Sequence, residues 1–149
     1  MTTILTVTSD PDIQQCYPVM SQLRPHIAPE DFLPRIKAQM ADGYMLSCIK
    51  KGDLVVAVAG FRIGRNLAWG KHLYVDDLVT DSQNRSSGYG RKMIDWIILF
   101  AKEKGCEQLH LDSGIQRTET HKFYKREGLE LASYHFLKNF LLNGTGCAI

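Results

Sequence analysis

The stretch from residue 44 to residue 112 constrains the fold more than any other part of the chain. Two β-rich runs, residues 44–50 and 54–63, flank the turn Lys51-Gly52-Asp53, and a third, residues 71–80, follows the loop 64–70. Runs joined by short Gly-containing turns form antiparallel hairpins, and the middle one, apolar on both faces, is expected at the centre of the sheet. Residues 88–104 then carry Met93, Ile94, Trp96, Ile97, Ile98 and Phe100 around most of a helix that Gly105 ends, and residues 107–112 alternate as a strand. A strand, a helical crossover and a second strand of one sheet lie parallel, because the crossover returns the chain to the end where it began. The sheet is therefore mixed α/β, mostly antiparallel with one parallel pair. Ligands of such sheets bind at the carboxyl ends of the strands, here the loop 81–90.

The flanking segments complete the pattern. Residues 4–7 predict a short strand, and Ser9 or Asp10 caps a helix with Pro11 in its first turn. That helix carries Ile13, Cys16, Tyr17, Met20 and Leu23 inward and stops before Pro25. A second helix spans residues 29–42, with Phe32, Leu33, Ile36 and Met40 on one stripe and Gly43 after it. Residues 118–126 read as a short helix stopped by Gly128, residues 129–140 as a final strand, and residues 141–149 as a loose tail. The predicted order is β-α-α-β-β-β-α-β-α-β, with helices on both faces, in one domain over residues 1–149.

Charge and cysteine usage narrow the function. Eighteen Lys and Arg against sixteen Asp and Glu leave a net charge of only +2, a small excess for a chain that works by neutralising nucleic-acid phosphates. Cys16, Cys48, Cys106 and Cys147 form no C-x-x-C pair, so zinc and redox motifs are unsupported. The N-terminus lacks a basic segment followed by an apolar one, and the longest apolar runs, 54–59 and 96–101, fall far short of the ~20 residues that span a membrane. The expectation is a cytoplasmic protein with reduced thiols and no nucleic-acid or membrane partner. The sequons at Asn84 and Asn143 then carry no weight.

The loop Asp81-Ser82-Gln83-Asn84-Arg85-Ser86-Ser87-Gly88-Tyr89-Gly90-Arg91-Lys92 stands between strand and helix. Its glycines let backbone N–H groups turn toward a ligand, and the helix N-terminus adds unpaired donors and partial positive charge, so a phosphate or pyrophosphate is the natural guest. Arg85, Arg91 and Lys92 add full charges. The other reading is a glycine-softened turn with a solvated basic face. A dinucleotide fingerprint fails because Met93 stands where its third glycine belongs. A P-loop fails because Gly64 to Gly70-Lys71 is one residue too long and His72 follows.

Arg85-Ser86-Ser87-Gly88-Tyr89-Gly90 matches in full the R/Q-x-x-G-x-G/A signature of the GNAT superfamily of N-acetyltransferases, which the chain resembles over nearly its whole length. Asp77-Leu78-Val79-Thr80 looks like that family's fourth strand, and Phe123-Tyr124-Lys125-Arg126-Glu127-Gly128 like its tyrosine segment. The resemblance implies acetyl-CoA as cosubstrate, in a cleft where the fourth and fifth strands splay apart. Its pyrophosphate would lie on the N–H groups of Arg85, Ser86, Ser87, Gly88, Tyr89 and Gly90, with Arg91 beside them. Its pantetheine would pair with the backbone of Leu78, Val79 and Thr80. The sequence departs from the family at Ser82, where proline is frequent, at Ser86, where glycine is, and at Arg117, where asparagine is.

The implied chemistry is direct acetyl transfer to a primary amine in a ternary complex, with no metal and no covalent enzyme intermediate. An amine with a pKa near 10 must shed a proton to attack. Asp76 and Asp77 face opposite sides of a regular strand, and Asp77, next to the cofactor-pairing backbone, is the candidate base; either carboxylate could instead only pair with an Arg or Lys. A backbone N–H near Val79 is the candidate oxyanion donor. Tyr124 matches the family's general acid for the leaving thiolate, a role that calls for a lowered phenol pKa or a concerted transfer; its alternative is a buried aromatic. His110 and His121 are weaker candidates for the acceptor side or for structure alone. Asp76, Asp77 and Asp42 suggest a cationic small-molecule acceptor, with a peptide amine as the alternative. An acyl-CoA sensor without turnover, or transfer of a larger acyl group, would use the same fold. The apolar stretch Tyr134-His135-Phe136-Leu137 permits a homodimer.

Overall fold

The computed structural model describes residues 1–141. Along the chain come β1 (Thr2–Val7), α1 (Asp10–Gln15), α2 (Tyr17–Leu23), α3 (Pro29–Ala41), β2 (Met45–Lys51), β3 (Leu54–Asn66), β4 (Gly70–Thr80), α4 (Tyr89–Glu103), β5 (Gln108–Leu111) and α5 (Thr118–Arg126). The five strands lie in one sheet in chain order. The first four pair antiparallel, and β4 pairs parallel with β5, as the helical crossover requires.

The expected first helix is two. Ser9 caps α1, accepting from the Asp12 N–H at 3.3 Å, but the helix ends at Gln15 and the chain restarts as α2 with Pro18 in its first turn. Pro18 has no N–H to give the Gln14 carbonyl and its ring crowds that carbonyl, which disfavours one continuous helix and suits a new helix start. A second correction concerns residues 129–140, which form no strand. Alternating side chains become a strand only where a sheet edge supplies hydrogen bonds, and β5 is four residues long. Leu131, Tyr134, Phe136, Leu137 and Phe140 are accordingly exposed. The expected tail beyond residue 141 lies outside the described residues.

Two apolar layers sandwich the sheet. Ile13, Cys16, Val19, Met20, Phe32 and Ile36 of α1 to α3 pack with Leu46, Cys48, Val58 and Val79 on one face. Met93, Ile97 and Ala101 of α4 pack with Ala57, Ala59, Phe61, Leu73 and Val75 on the other. Pairing of β4 with β5 runs only from His72↔Gln108 to Val75↔Leu111. From Asp76 onward β4 keeps β3 on one side and, among the described residues, has no strand on the other, which is the predicted splay.

Candidate active site

A β-bulge sets the site's geometry. Gly60 lies opposite Asp77 and Phe61 opposite Val75, so Asp76 is an extra residue in β4. An extra residue reverses the alternation of side chains beyond it. Leu73 and Val75 face α4, whereas Val79 faces α1 to α3. The expectation that Asp76 and Asp77 point to opposite faces is corrected here. Phe61 and Ile63 turn toward α4, so Arg62 between them points to the other side, where it grips Asp76 with two bonds of 2.9 and 2.6 Å. Asp77 meets Arg24 and Tyr44 on that same side.

Asp77 is 9% exposed. Arg24 Nε donates to its Oδ1 at 2.9 Å and the Tyr44 hydroxyl to its Oδ2 at 2.8 Å, while Arg24 Nη2 donates to the Asp76 carbonyl at 2.9 Å. A buried carboxylate needs such partners, and charge-assisted bonds are the stronger kind. Burial first, then the charge of Asp77, pushes the Tyr44 phenol well above its ordinary value, so Tyr44 remains a donor. The phenol end of Tyr44 comes so close to Gly60 that a Cβ there would overlap its hydroxyl oxygen. Asp77, Arg24 and Tyr44 also line a pocket of about 190 Å³ with Met20, His26, Ile27, Phe32, Arg35, Ile36 and Gln39. Nearby, the Tyr74 hydroxyl donates to the carboxylate of Asp112, just past β5.

The loop after β4 is pinned at its start and open at its end. Asp81 accepts from Gln22 Nε2 at 2.7 Å and from Asn84 Nδ2 at 2.6 Å, and Gln22 Oε1 takes the Ser82 N–H at 2.8 Å. These donors hold the Asp81 carboxyl below its usual range, Gln22 contributing most. Ser86 and Gly88 both adopt left-handed φ, 66° and 80°; the second suits glycine, whereas at Ser86 a side chain bears the cost. Among the described residues no N–H from Arg85 through Arg91 finds an acceptor, the first bond of α4 being Lys92 N–H to Gly88 O at 3.0 Å. Successive N–H groups in such alternating turns make a concavity for anions. Of the three cations expected there, Arg91 lies 3.7 Å from Glu127 and 4.0 Å from Asp95, and Lys92 reaches Thr2 Oγ1 at 3.1 Å. Arg85 is exposed and has no ion pair among the described residues.

α5 closes the far side. The Phe123 ring comes so near Gly90 that a Cβ there would sit 3.3 Å from it, which ties α5 to the start of α4. The adjacent Tyr124 is 7% exposed, and burial pushes its phenol up to about 12, with Arg117 pulling the other way. Ser113, past the end of β5, has a buried hydroxyl without a partner among the described residues. His110 instead stacks on Trp69 at 3.5 Å, held below its ordinary value by burial and by His72. His121 Nε2 lies 2.7 Å from Gly114 O.

The loop N–H groups without acceptors, the stretch of β4 holding Leu78, Val79 and Thr80 that is paired on its β3 side only, and the orphaned Ser113 hydroxyl all suit a ligand that is anionic at one end and amide-bearing along its length. Coenzyme A is such a molecule. The residues of the pocket, Arg24, His26, Arg35 and Tyr44, were not singled out by sequence reasoning; no local spacing marks them, since Arg24 and Asp77 stand 53 positions apart. The one available signal was that a tyrosine bracketed by glycine and a buried strand must bring its hydroxyl a partner.

The uncharacterized N-acetyltransferase YhdJ of Bacillus subtilis is 34% identical over 134 residues, 89% of this chain and 94% of that protein. The aminoalkylphosphonate N-acetyltransferase of Salmonella typhimurium is 30% identical over 64 residues, 43% of this chain and 42% of that one. In fold, the aminoglycoside N-acetyltransferase AAC(6')-Iy, solved with CoA, superposes with a TM-score of 0.83 at 14% identity, over 93% of this chain and 94% of that one. The family model for acetyltransferases of the GNAT family matches residues 12–129, and this chain belongs to that family.

Proposed function

We propose that the protein transfers the acetyl group of acetyl-CoA to the primary amine of a small molecule. One observation carries the reading: β4 loses its strand neighbour on one side at Asp76 and runs into a loop whose N–H groups from Arg85 to Arg91 find no acceptor among the described residues. In this reading the amides of Leu78, Val79 and Thr80 pair with pantetheine. The N–H groups of Arg85, Ser86, Ser87, Gly88, Tyr89 and Gly90 take the pyrophosphate, and Arg85 meets its charge ahead of Arg91, which already faces Glu127. The bound thioester supplies an activated carbonyl.

The chain's own residues supply the proton traffic. Asp77, on the pocket wall, takes the proton of the incoming ammonium on a lone pair that Arg24 and Tyr44 leave free, directly or through water. As nitrogen bonds to the carbonyl carbon, a backbone N–H near Val79 holds the developing oxyanion. Tyr124 gives its proton to sulfur as the carbon–sulfur bond breaks, and the second proton, which nitrogen sheds as the amide forms, returns to the phenolate through solvent. Burial raises this phenol where donation to a free thiolate would need it lowered, so the proton moves in concert with bond cleavage. The free thiols of Cys16, Cys48 and Cys106 fit a cytoplasmic setting, and the exposed Tyr134, Phe136 and Leu137 suit a homodimer.

Thermal melting and thiol release test this together. Acetyl-CoA at about 100 times its Kd should stabilise the fold by about 2.7 kcal/mol, and thiol should appear only when an amine is present. No shift at millimolar acetyl-CoA would sink the proposal.

A further inference from the structure

The pocket beside Asp77 has a charge opposite to the one its two aspartates suggest. Asp77 is the only acidic residue in its lining, and both of its oxygens are held, by Arg24 and by Tyr44. Asp76 is met by Arg62, and Asp42 is not in the lining. What remains facing the cavity is Arg35, exposed and without an ion pair among the described residues, together with His26. Helical geometry fixes Arg35 there: Phe32, Arg35, Ile36 and Gln39 stand three, four and seven residues apart, one face of α3. A guanidinium fork beside an imidazole and a Gln amide is a set of donors matched to a planar or tetrahedral oxyanion. The pocket of about 190 Å³ is open to solvent on one side, so it takes the polar end of an acceptor without enclosing it.

We infer that the acceptor is a small primary amine carrying a phosphate, phosphonate or carboxylate, with Arg35 as the residue that selects it. The inference rests on the acetyl-transfer reading, and it replaces the cationic acceptor that the aspartates suggest from sequence. The amine points to Asp77 while the oxyanion lies against Arg35 and His26. A polyamine would bring a second positive charge to Arg35 with no carboxylate free to receive it.

Four amines of similar length separate the alternatives: O-phosphoethanolamine, β-alanine, ethanolamine and 1,3-diaminopropane, each assayed by thiol release from acetyl-CoA. The wild-type kcat/KM should favour the two anionic amines over ethanolamine by about tenfold to a hundredfold, the worth of a hydrogen bond to a charged group. The variant R35E should lose that preference through KM and shift toward the diamine, while R35K should restore part of it. Equal or better use of ethanolamine or the diamine by the wild type, or an unchanged preference in R35E, overturns the inference and leaves acetyl transfer standing. If no amine releases thiol and acetyl-CoA gives no thermal shift, acetyl transfer itself falls. Whenever no amine releases thiol, the pocket is decided by calorimetric titration of O-phosphoethanolamine into the protein alone. Binding that R35E abolishes supports the anion site, and no binding overturns it.

Discussion

The two halves of β4 belong to one continuous strand and do opposite work. From His72 to Val75 the strand is paired on both sides and Leu73 and Val75 are fully buried against α4. From Asp76 to Thr80 it has one neighbour, a bulge, and two aspartates each held by its own arginine. The first half satisfies every backbone group and so has nothing left to offer a ligand. The second keeps backbone and carboxylate groups in reserve, and this is affordable because the first half anchors it.

The comparison is broken most sharply by Tyr124→Phe, which leaves the packing of the open half intact and removes the proton. A kcat loss of about 10²–10⁴ is expected, with acetyl-CoA affinity unchanged; a kcat within threefold of wild type removes Tyr124 from the chemistry. The same variant has a pH signature. The folded phenol titrates near 12 and the unfolded one near 10, so at high pH the unfolded chain sheds a proton that the folded one keeps. The stability from this group is complete below about pH 10 and is lost as pH rises toward 12. Denaturant melts at pH 9 and pH 11 should show that decline in wild type and a smaller one in the Phe variant.

Leu73→Ala tests the closed half. It should cost about 2–5 kcal/mol of stability while both KM values stay within twofold, and a large rise in KM would mean the halves are not separable. The smallest effect pairs two glycines with left-handed φ and open space around them, Gly88 in the loop and Gly52 in the β2–β3 hairpin. Alanine at either should cost about 1–2 kcal/mol. Only Gly88→Ala should also weaken acetyl-CoA binding, by about fivefold to thirtyfold, and equal affinity in the two variants would detach the loop from the ligand.

The closed half was largely legible from sequence. Its hairpins, the α4 stripe and the parallel crossover follow from periodicity and from glycines placed where helices end, and α5 has the predicted bounds, Thr118–Arg126. The loop was legible too, because Gly88 and Gly90 stand where a turn and a close helix contact need them. The open half was read only in part. Nothing in Val75-Asp76-Asp77 announces a bulge, since an extra residue leaves no compositional trace, and without it the two aspartates are assigned to opposite faces. The partners of those aspartates come from α2 and β3, at separations that no local pattern encodes. The strand expected over 129–140 shows the converse: Tyr134, Phe136 and their neighbours carry the pattern, but a pattern cannot supply the sheet edge it needs.

Tyr44 and Gly60 bear on how a chain like this can vary over time. The ring of Tyr44 occupies the volume that any side chain at position 60 would need, and its hydroxyl is one of the two groups holding Asp77. A substitution at 60 is therefore conditional on one at 44, and a smaller residue at 44 withdraws a donor from the carboxylate. The two positions form an ordered epistatic pair in which 44 changes before 60, so the route by which this pocket drifts toward a new acceptor runs through an intermediate with a donor to Asp77 withdrawn.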